Sequence, residues 1–81
     1  MYYTYILISK NCQKTYTGCT KNIKQRIEEH NGGKVKSSRP YIPYEFLYIE
    51  ELESFKDART RERYYKSTSG RREIKRLIDR R

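Results

Sequence analysis

Alternating hydrophobic and polar positions along the chain predict a small antiparallel sheet. The first strand covers residues 3–9, where Tyr3, Tyr5 and Leu7 would lie on one face and the side chains between them on the other. A few turn-prone residues separate it from a short second strand, residues 15–18, so we expect an antiparallel hairpin. A third alternating run covers residues 44–52. Its aromatic residues are two positions apart and would lie on a single face, namely Tyr44, Phe46 and Tyr48.

Apolar stripes at helical spacing predict three helices, at residues 21–30, at residues 55–67 and from about Gly70 onward. Thr20 and Ser54 are the predicted N-caps of the first two, and an Asn-Gly-Gly run ends the first. The stripe of the second helix contains Phe55, Ala58 and Tyr65, and that of the third contains Ile74, Leu77 and Ile78. We therefore predict a single domain over residues 1–81 of α/β (α+β) class, with a three-stranded antiparallel sheet flanked by about three helices.

Glu62 is the residue that the pattern explains least, because it lies in the middle of the apolar stripe of the second helix. An ionised carboxylate in that position needs a partner that offsets its desolvation. One interpretation is a structural ion pair with Arg59, Arg63 or Arg26. The other is a ligand for a hard cation such as Mg²⁺, which needs few protein carboxylates because water and phosphate oxygens complete its shell.

Arg26 and His30 are one helical turn apart at one edge of the stripe on the first helix. A guanidinium presents a planar fork to a phosphate, and an imidazole titrates near neutral pH. The pair could therefore bind a phosphate and handle a proton, or it could be an ordinary solvated helix edge. The strand tyrosines leave the same choice between structural aromatics and hydroxyls that line a site.

Charge decides which partner we expect. The net charge is +9, and residues 54–81 carry most of it, with eleven basic and four acidic side chains. A polyanion such as nucleic acid is the expected partner of such a patch. No apolar run approaches the length of a membrane span, and no signal peptide is visible, so we expect a soluble cytoplasmic protein. Cys12 and Cys19 match no zinc-ligand spacing and are expected to be reduced thiols.

These features together resemble the GIY-YIG nuclease superfamily, in particular its small stand-alone members. Tyr3-Thr4-Tyr5 stands where that family has its GIY triplet, and Tyr16-Thr17-Gly18 stands in place of YIG. The helix KNIKQRIEEHN, residues 21–31, supplies the family's arginine and the histidine one turn later, and ARTRERYYKS supplies its glutamate. Both triplets carry threonine where the family has isoleucine, tyrosine replaces the first glycine, and Cys19 stands where several members have lysine.

The resemblance implies hydrolysis of a phosphodiester in DNA, more than in RNA, assisted by one Mg²⁺ or Mn²⁺ ion. It implies that Glu62 is the metal ligand and that Arg26 neutralises the phosphate. It also implies that one of Tyr5 and Tyr16 activates water or orients the phosphate, with His30 assisting as a second proton handler. Gly18 would let the backbone approach the site closely. Small members of this kind act on structured nucleic acid or depend on a protein partner for targeting. Residues expected to contact nucleic acid are Tyr3, Gly18, Lys36, Arg39, Arg71, Arg72 and Lys75.

Two other functions remain open from the sequence. The first is a nucleic-acid-binding domain of the same fold with weak or no catalysis, and the second is a basic protein that binds a protein partner. Binding to nucleic acid would weaken steeply with salt, whereas binding to a protein need not.

Overall fold

The computed structural model describes residues 1–81 and contains three strands and three helices. Strand β1 spans Tyr2–Ser9, β2 spans Thr15–Thr20 and β3 spans Tyr44–Leu52. They form one sheet in the order β2-β1-β3, in which β1 pairs antiparallel with both neighbours. The predicted hairpin, the three-stranded antiparallel sheet and the α+β class are therefore confirmed.

Helix α1 spans Ile23–Asn31, α2 spans Phe55–Lys66 and α3 spans Thr68–Asp79, with one turn of 3-10 helix at Arg39–Tyr41. The three predicted helices are thus present within a few residues of their expected ends. No helix has the length and hydrophobicity that crossing a membrane would require.

The central strand β1 is buried on both faces of the sheet, because helices cover each side. On the α1 face, Tyr5, Leu7 and Tyr44 pack with the two isoleucines of α1. On the α2–α3 face, Ile6, Tyr65 and Ile74 form a second core, which Leu77 and Ile78 join. The alternation in β1 and the predicted stripe of α3 are confirmed, since neighbouring residues of β1 feed opposite cores.

The predicted alternation in β3 is wrong beyond Phe46. Ile6 pairs with Tyr48 and Leu7 pairs with Phe46, so Leu47 is an extra residue in a β-bulge. Tyr48 consequently packs on the α2–α3 face, whereas Phe46 packs on the α1 face. A bulge reverses the alternation at one point, and hydrophobic periodicity alone does not show where.

Two features near the helix starts also differ from the predictions. Asn22, not Thr20, caps α1, because its side chain accepts a hydrogen bond from the Gln25 amide. Phe55 remains half-exposed at the first turn of α2, where its ring lies tilted against that of Tyr2, with 5.7 Å between centroids. The predicted Ser54 cap of α2 and the glycine stop of α1 are confirmed, and Gly33 takes a φ of 77°.

A buried glycine fixes the junction between α2 and α3. A Cβ on Gly70 would overlap the Tyr64 carbonyl and the Tyr65 Cα, so α3 packs directly on the backbone of α2. Ser67 ends α2 and caps α3 through the amide of Gly70. The two helices therefore form a closely packed pair beneath the sheet.

Candidate active site

A hydroxyl in the centre of the α1 face joins two of the predicted site residues. Tyr5 is 1% exposed, and its hydroxyl accepts a hydrogen bond from Arg26 Nε at 3.1 Å. The same hydroxyl lies 3.1 Å from His30 Nε2. Arg26 and His30 reach it together because they are one turn apart on α1. The structure thus confirms that they lie together, and it shows Tyr5 between them.

Gly18 provides the room for this tyrosine. It lies opposite Tyr5 on β2, and a Cβ there would come within 2.6 Å of the Tyr5 hydroxyl. The buried tyrosine ring therefore requires glycine at this position within β2. The sequence predicts that Gly18 lets the backbone come close to the site, and the group it approaches is the Tyr5 hydroxyl.

Hydrogen bonds beyond His30 fix the direction of the whole network. His30 is fully buried, its Nδ1 lies 2.7 Å from Ser38 Oγ, and Ser38 Oγ donates to the Val35 carbonyl at 3.3 Å. Since a serine hydroxyl has one hydrogen, it accepts from the His30 Nδ1–H. His30 Nε2 then carries no hydrogen and accepts the proton of the Tyr5 hydroxyl. Each group donates to the next, in the order Arg26, Tyr5, His30 and Ser38.

Electrostatics keep the central groups of this network neutral. Burial, together with the positive charge of Arg26, lowers the pKa of His30 to about 4. Burial raises the pKa of Tyr5 to about 12, although the hydrogen bond from Arg26 opposes the shift. At neutral pH the network therefore contains a neutral imidazole, a neutral phenol and one guanidinium.

Arg26 connects the network to the surface. Its guanidinium also bonds Glu29 Oε1 at 3.1 Å, and its side chain is one third exposed. It lines a cleft of about 350 Å³ between the end of β2 and α1, to which Cys19 and Lys21 also contribute. A phosphate in this cleft would meet a guanidinium whose orientation is set by two side chains.

Tyr16 is placed differently from Tyr5. Its ring stacks on Tyr5 at 6.5 Å between centroids and lies 4.5 Å from the His30 ring. Tyr16 is half-buried, and its hydroxyl makes no hydrogen bond within the chain. Because no buried polar side-chain atom lacks a partner, this hydroxyl reaches solvent. The two predicted tyrosines thus lie together, but only Tyr16 is open to a water molecule or substrate.

Glu62 reaches β2 from the opposite face of the sheet. Its side chain is 18% exposed, with Lys66 Nζ at 2.8 Å and Arg59 Nε at 3.8 Å. Burial would raise the pKa of this carboxyl, but hydrogen bonds from Lys66 and the Cys19 thiol lower it below its ordinary value. Glu62 is therefore ionised and has cationic partners, as expected for a carboxylate on an apolar stripe.

The edge strand β2 brings the two halves of the site together. Cys19 touches Glu62 and also lines the cleft that contains Arg26. Its neighbour Gly18 touches Tyr5. The negative charge of Glu62 is close enough to contribute to the raised pKa of Tyr5. Both cysteines are free, as predicted.

The donor set at Glu62 fits a particular kind of metal ion. No group of three or more His, Cys, Asp or Glu side chains that could hold a metal converges anywhere in the chain. A tetrahedral zinc site is therefore not built here. A single ionised carboxylate fits Mg²⁺ or Mn²⁺, which bind through one or two carboxylates and keep several water molecules.

The residues expected to contact nucleic acid are spread over the surface. Tyr3 is half-buried at the end of β1, whereas Lys36 and Arg39 are exposed on the loop before β3, where Arg39 Nε donates to the Gly33 carbonyl at 2.9 Å. Arg71 and Lys75 line a groove on α3, and Arg72 is exposed outside its lining. Gly18 is buried against Tyr5.

Sequence reasoning missed two residues of this site. Lys66 follows Glu62 at the helical i+4 spacing, which is the ordinary signal for an ion pair on a helix. Ser38 had no such signal, because the loop after α1 folds it back onto His30.

The chain is similar to known proteins over most of its length. A family model described as the GIY-YIG catalytic domain matches residues 1–75. A UPF0213 protein of Clostridium perfringens is 40% identical over 67 residues, which cover 82% of this chain and 71% of that protein. One from Pediococcus acidilactici is 37% identical over 79 residues, which cover 94% of this chain and 80% of that protein.

A solved structure shows the same fold. The solution NMR structure of a UPF0213 protein from Bacillus halodurans matches with a TM-score of 0.55 and 29% identity, over 94% of this chain and 83% of that one. The family match includes both tyrosine triplets, α1 and the helix that carries Glu62. This chain therefore belongs to the GIY-YIG family, and its domain has a nuclease-like fold.

Proposed function

We propose that this protein hydrolyses phosphodiester bonds in nucleic acid, with DNA as the preferred substrate. The observation that carries the proposal is the approach of Arg26 and the ionised Glu62 to the same edge strand, beside the open hydroxyl of Tyr16. Attack on a phosphodiester needs a cation that binds the phosphate, a carboxylate that can hold a metal ion and a group that orients water, and these three side chains supply them around one strand.

Arg26 would bind the phosphate and offset the charge that builds on its oxygens as water attacks. The network behind it fixes the guanidinium plane, because Nε is held by Tyr5 and a terminal nitrogen by Glu29. Preorganised charge of this kind stabilises a transition state without reorganisation during the reaction. In this proposal Tyr5, His30 and Ser38 are positioning residues that act through Arg26.

Tyr16 is the tyrosine that would act on the attacking water. A phenol works as a base only after it has lost its proton, and the proton of Tyr5 is shared with His30 while burial raises the pKa of Tyr5 to about 12. The Tyr16 hydroxyl reaches solvent and has no internal partner to displace. It can therefore orient the attacking water through a hydrogen bond.

Glu62 would hold one Mg²⁺ or Mn²⁺ ion. Such an ion, when bound, supplies Lewis-acid charge next to the phosphate and lowers the pKa of a bound water. The carboxylate is already ionised, so no proton has to leave before the ion binds. Lys66 and Arg59 would have to give way at least in part.

Cleavage assays with a matched pair of variants test the proposal. Branched, single-stranded and duplex DNA would be incubated with Mg²⁺ or Mn²⁺ and the native chain, Glu62→Gln or Glu28→Gln. Glu28 is an exposed carboxylate on α1 and serves as the control. We expect metal-dependent cutting that falls by about 100-fold or more in Glu62→Gln and persists in Glu28→Gln. Equal cutting by Glu62→Gln would contradict the metal role.

One observation favours a second function, binding of nucleic acid without cutting. Glu62 is already paired with Lys66 inside the chain, so the carboxylate is satisfied without a metal ion. Binding to all three DNA forms, with no cutting in either metal, would support this alternative and overturn the enzyme. Binding to neither DNA nor RNA would leave only a basic protein that recognises a protein partner.

A further inference from the structure

A basic groove lies between the β1–β2 hairpin and α3, beside the candidate active site. Its volume is about 650 Å³, and its lining contains Tyr16, Tyr65 and Ile74 together with four cationic side chains, Lys14, Lys66, Arg71 and Lys75. No carboxylate lines it. A groove with four positive charges and an aromatic floor suits a chain of phosphates better than a neutral ligand.

Lys66 belongs both to this groove and to the partners of Glu62. Its Nζ donates to Glu62 Oε2 at 2.8 Å, while its side chain remains 56% exposed. An ion pair with one exposed partner contributes little free energy. A phosphate held by Arg71 and Lys75 can therefore compete with Glu62 for this lysine.

We propose that the groove binds the sugar–phosphate backbone of one nucleic-acid strand next to the scissile phosphate, and that Lys66 then leaves Glu62 for a backbone phosphate. Its departure frees the carboxylate to bind the metal ion. The inference rests on the proposed role of Glu62 as metal ligand. By linkage, strand and metal each increase the affinity of the chain for the other.

The position of the groove favours a nucleic-acid strand over an acidic protein segment. Tyr16 lines the groove and also stacks on Tyr5 and His30, so this residue is shared by the groove and the candidate active site. A strand whose phosphate lies beside Arg26 and Glu62 extends naturally along it. An acidic peptide has no phosphodiester for the candidate active site, so nothing would align it with both the groove and that site.

Metal affinity without nucleic acid tests the role of Lys66. The free Mn²⁺ signal in electron paramagnetic resonance would be followed during titration of the native chain, Lys66→Met and Lys56→Met. Lys56 is an exposed lysine of the same helix that does not line the groove, so it is the control. We expect Mn²⁺ to bind Lys66→Met about three- to tenfold more tightly than the native chain, with Lys56→Met unchanged. Unchanged or weaker binding to Lys66→Met overturns the proposal.

Strand affinity without metal tests the other direction. Fluorescence anisotropy of a labelled single-stranded 12-nucleotide DNA would be measured in EDTA. We expect Lys66→Met to weaken binding about three- to tenfold and to reduce the salt slope by roughly 0.7, the value for one phosphate contact on a single strand. Glu62→Gln should tighten binding more than the control Glu28→Gln does, because it releases Lys66. Native affinity in Lys66→Met, or equal competition by a polyglutamate of matched charge, overturns the groove assignment.

The two proposals fail in different ways. If Glu62→Gln abolishes Mn²⁺ binding while Lys66→Met leaves it unchanged, the metal role stands and the coupling is overturned. If Mn²⁺ binds the native chain and Glu62→Gln equally, the metal role and the coupling both fail. The groove itself is then judged by the anisotropy measurement alone.

Discussion

Arg26 and Glu62 approach the same edge strand from opposite faces of the sheet, and they are held in different ways. Arg26 is fixed by a directional chain of hydrogen bonds through Tyr5 and His30, both of which are fully buried. Glu62 is held by two cations that are more than half exposed. One half of the site is preorganised and the other can be rearranged. A phosphate-binding group benefits from the first arrangement, and a metal ligand that must exchange partners benefits from the second.

The largest effect on the free energy of unfolding is expected from Gly70→Ala. This variant tests whether the backbones of α2 and α3 are rigidly packed, although the charged side chains around Glu62 can exchange partners. The added Cβ would overlap the backbone of Tyr64 and Tyr65, which cannot move aside without separating the helices. We expect a loss of about 3 kcal/mol or more in the free energy of unfolding. Urea unfolding followed by circular dichroism measures it, with the exposed Ser69→Ala as the control. A loss below about 1 kcal/mol would mean that the helix pair is not rigid.

The next effect is a pH dependence that belongs to the α1 side. The pKa of His30 is about 4 in the folded chain against 6.5 ordinarily, so the unfolded chain binds the extra proton first as pH falls. The contribution of His30 to the free energy of unfolding is therefore fully present well above pH 6.5 and is lost as the pH falls toward 4. The expected loss is about 1 kcal/mol at pH 5.5 and roughly 3 kcal/mol at pH 4.

Urea unfolding at several pH values measures this decline. In His30→Gln the slope between pH 7 and 5.5 should disappear, because carboxylates titrate mainly below that range. A native slope that persists in His30→Gln would show that another group is responsible. It would also weaken the contrast between the two halves of the site.

Ser38→Ala should have a smaller effect on the same side. Without the serine hydroxyl, the His30 Nδ1–H is buried without a partner, and we expect a loss of about 2 kcal/mol in the free energy of unfolding. Ser38→Thr keeps a hydroxyl and is the matched control. Nitrogen-15 NMR of this chain's one histidine reports the tautomer directly. An Nε2–H tautomer in the native chain would reverse the direction of the network and contradict the assignment.

The smallest effect on the free energy of unfolding is expected at Lys66, on the side of the site that we infer can be rearranged. Lys66→Met should change the free energy of unfolding by less than about 0.5 kcal/mol, because the lysine is mostly exposed and its stem is kept. The same urea experiment measures this difference. A loss comparable to that of Ser38→Ala would show that Lys66 is a structural residue, and Glu62 would then belong to the fixed half of the site.

Several parts of this fold were predictable because the determinants are local. Residues of β1 alternate between two cores, and the stripe of α3 repeats at helical spacing, so the periodicity alone was sufficient. Arg26 and His30 were brought together by one turn of helix. The N-cap of α1 was not settled by the same reasoning, because Thr20 and Asn22 are both good caps and only the backbone path selects between them.

The remainder depends on contacts between distant segments. Ser38 meets His30 only because the loop after α1 turns back under Tyr44, whose hydroxyl donates to the Ser38 carbonyl at 3.0 Å. The burial of Tyr5 depends on the missing side chain at Gly18, across the hairpin. Gly18 therefore distinguishes the two tyrosines of the site, because it leaves room for the buried Tyr5 ring, and the sequence pattern alone does not show this difference from Tyr16.

The bulge at Leu47 lets β3 place two consecutive side chains, Leu47 and Tyr48, on the same face of the sheet. One additional residue lets a single strand supply Phe46 to one core and Tyr48 to the other. Removing Leu47 would leave Phe46 and Tyr48 as neighbours, so ordinary alternation would keep Tyr48 opposite Ile6 and beside the Tyr65 ring, which it meets edge-on at 5.9 Å. Homologues shorter by this one residue can therefore keep both cores and lose only the side chain of Leu47, whereas an insertion or a register slip without the bulge would move Tyr48 to the α1 face.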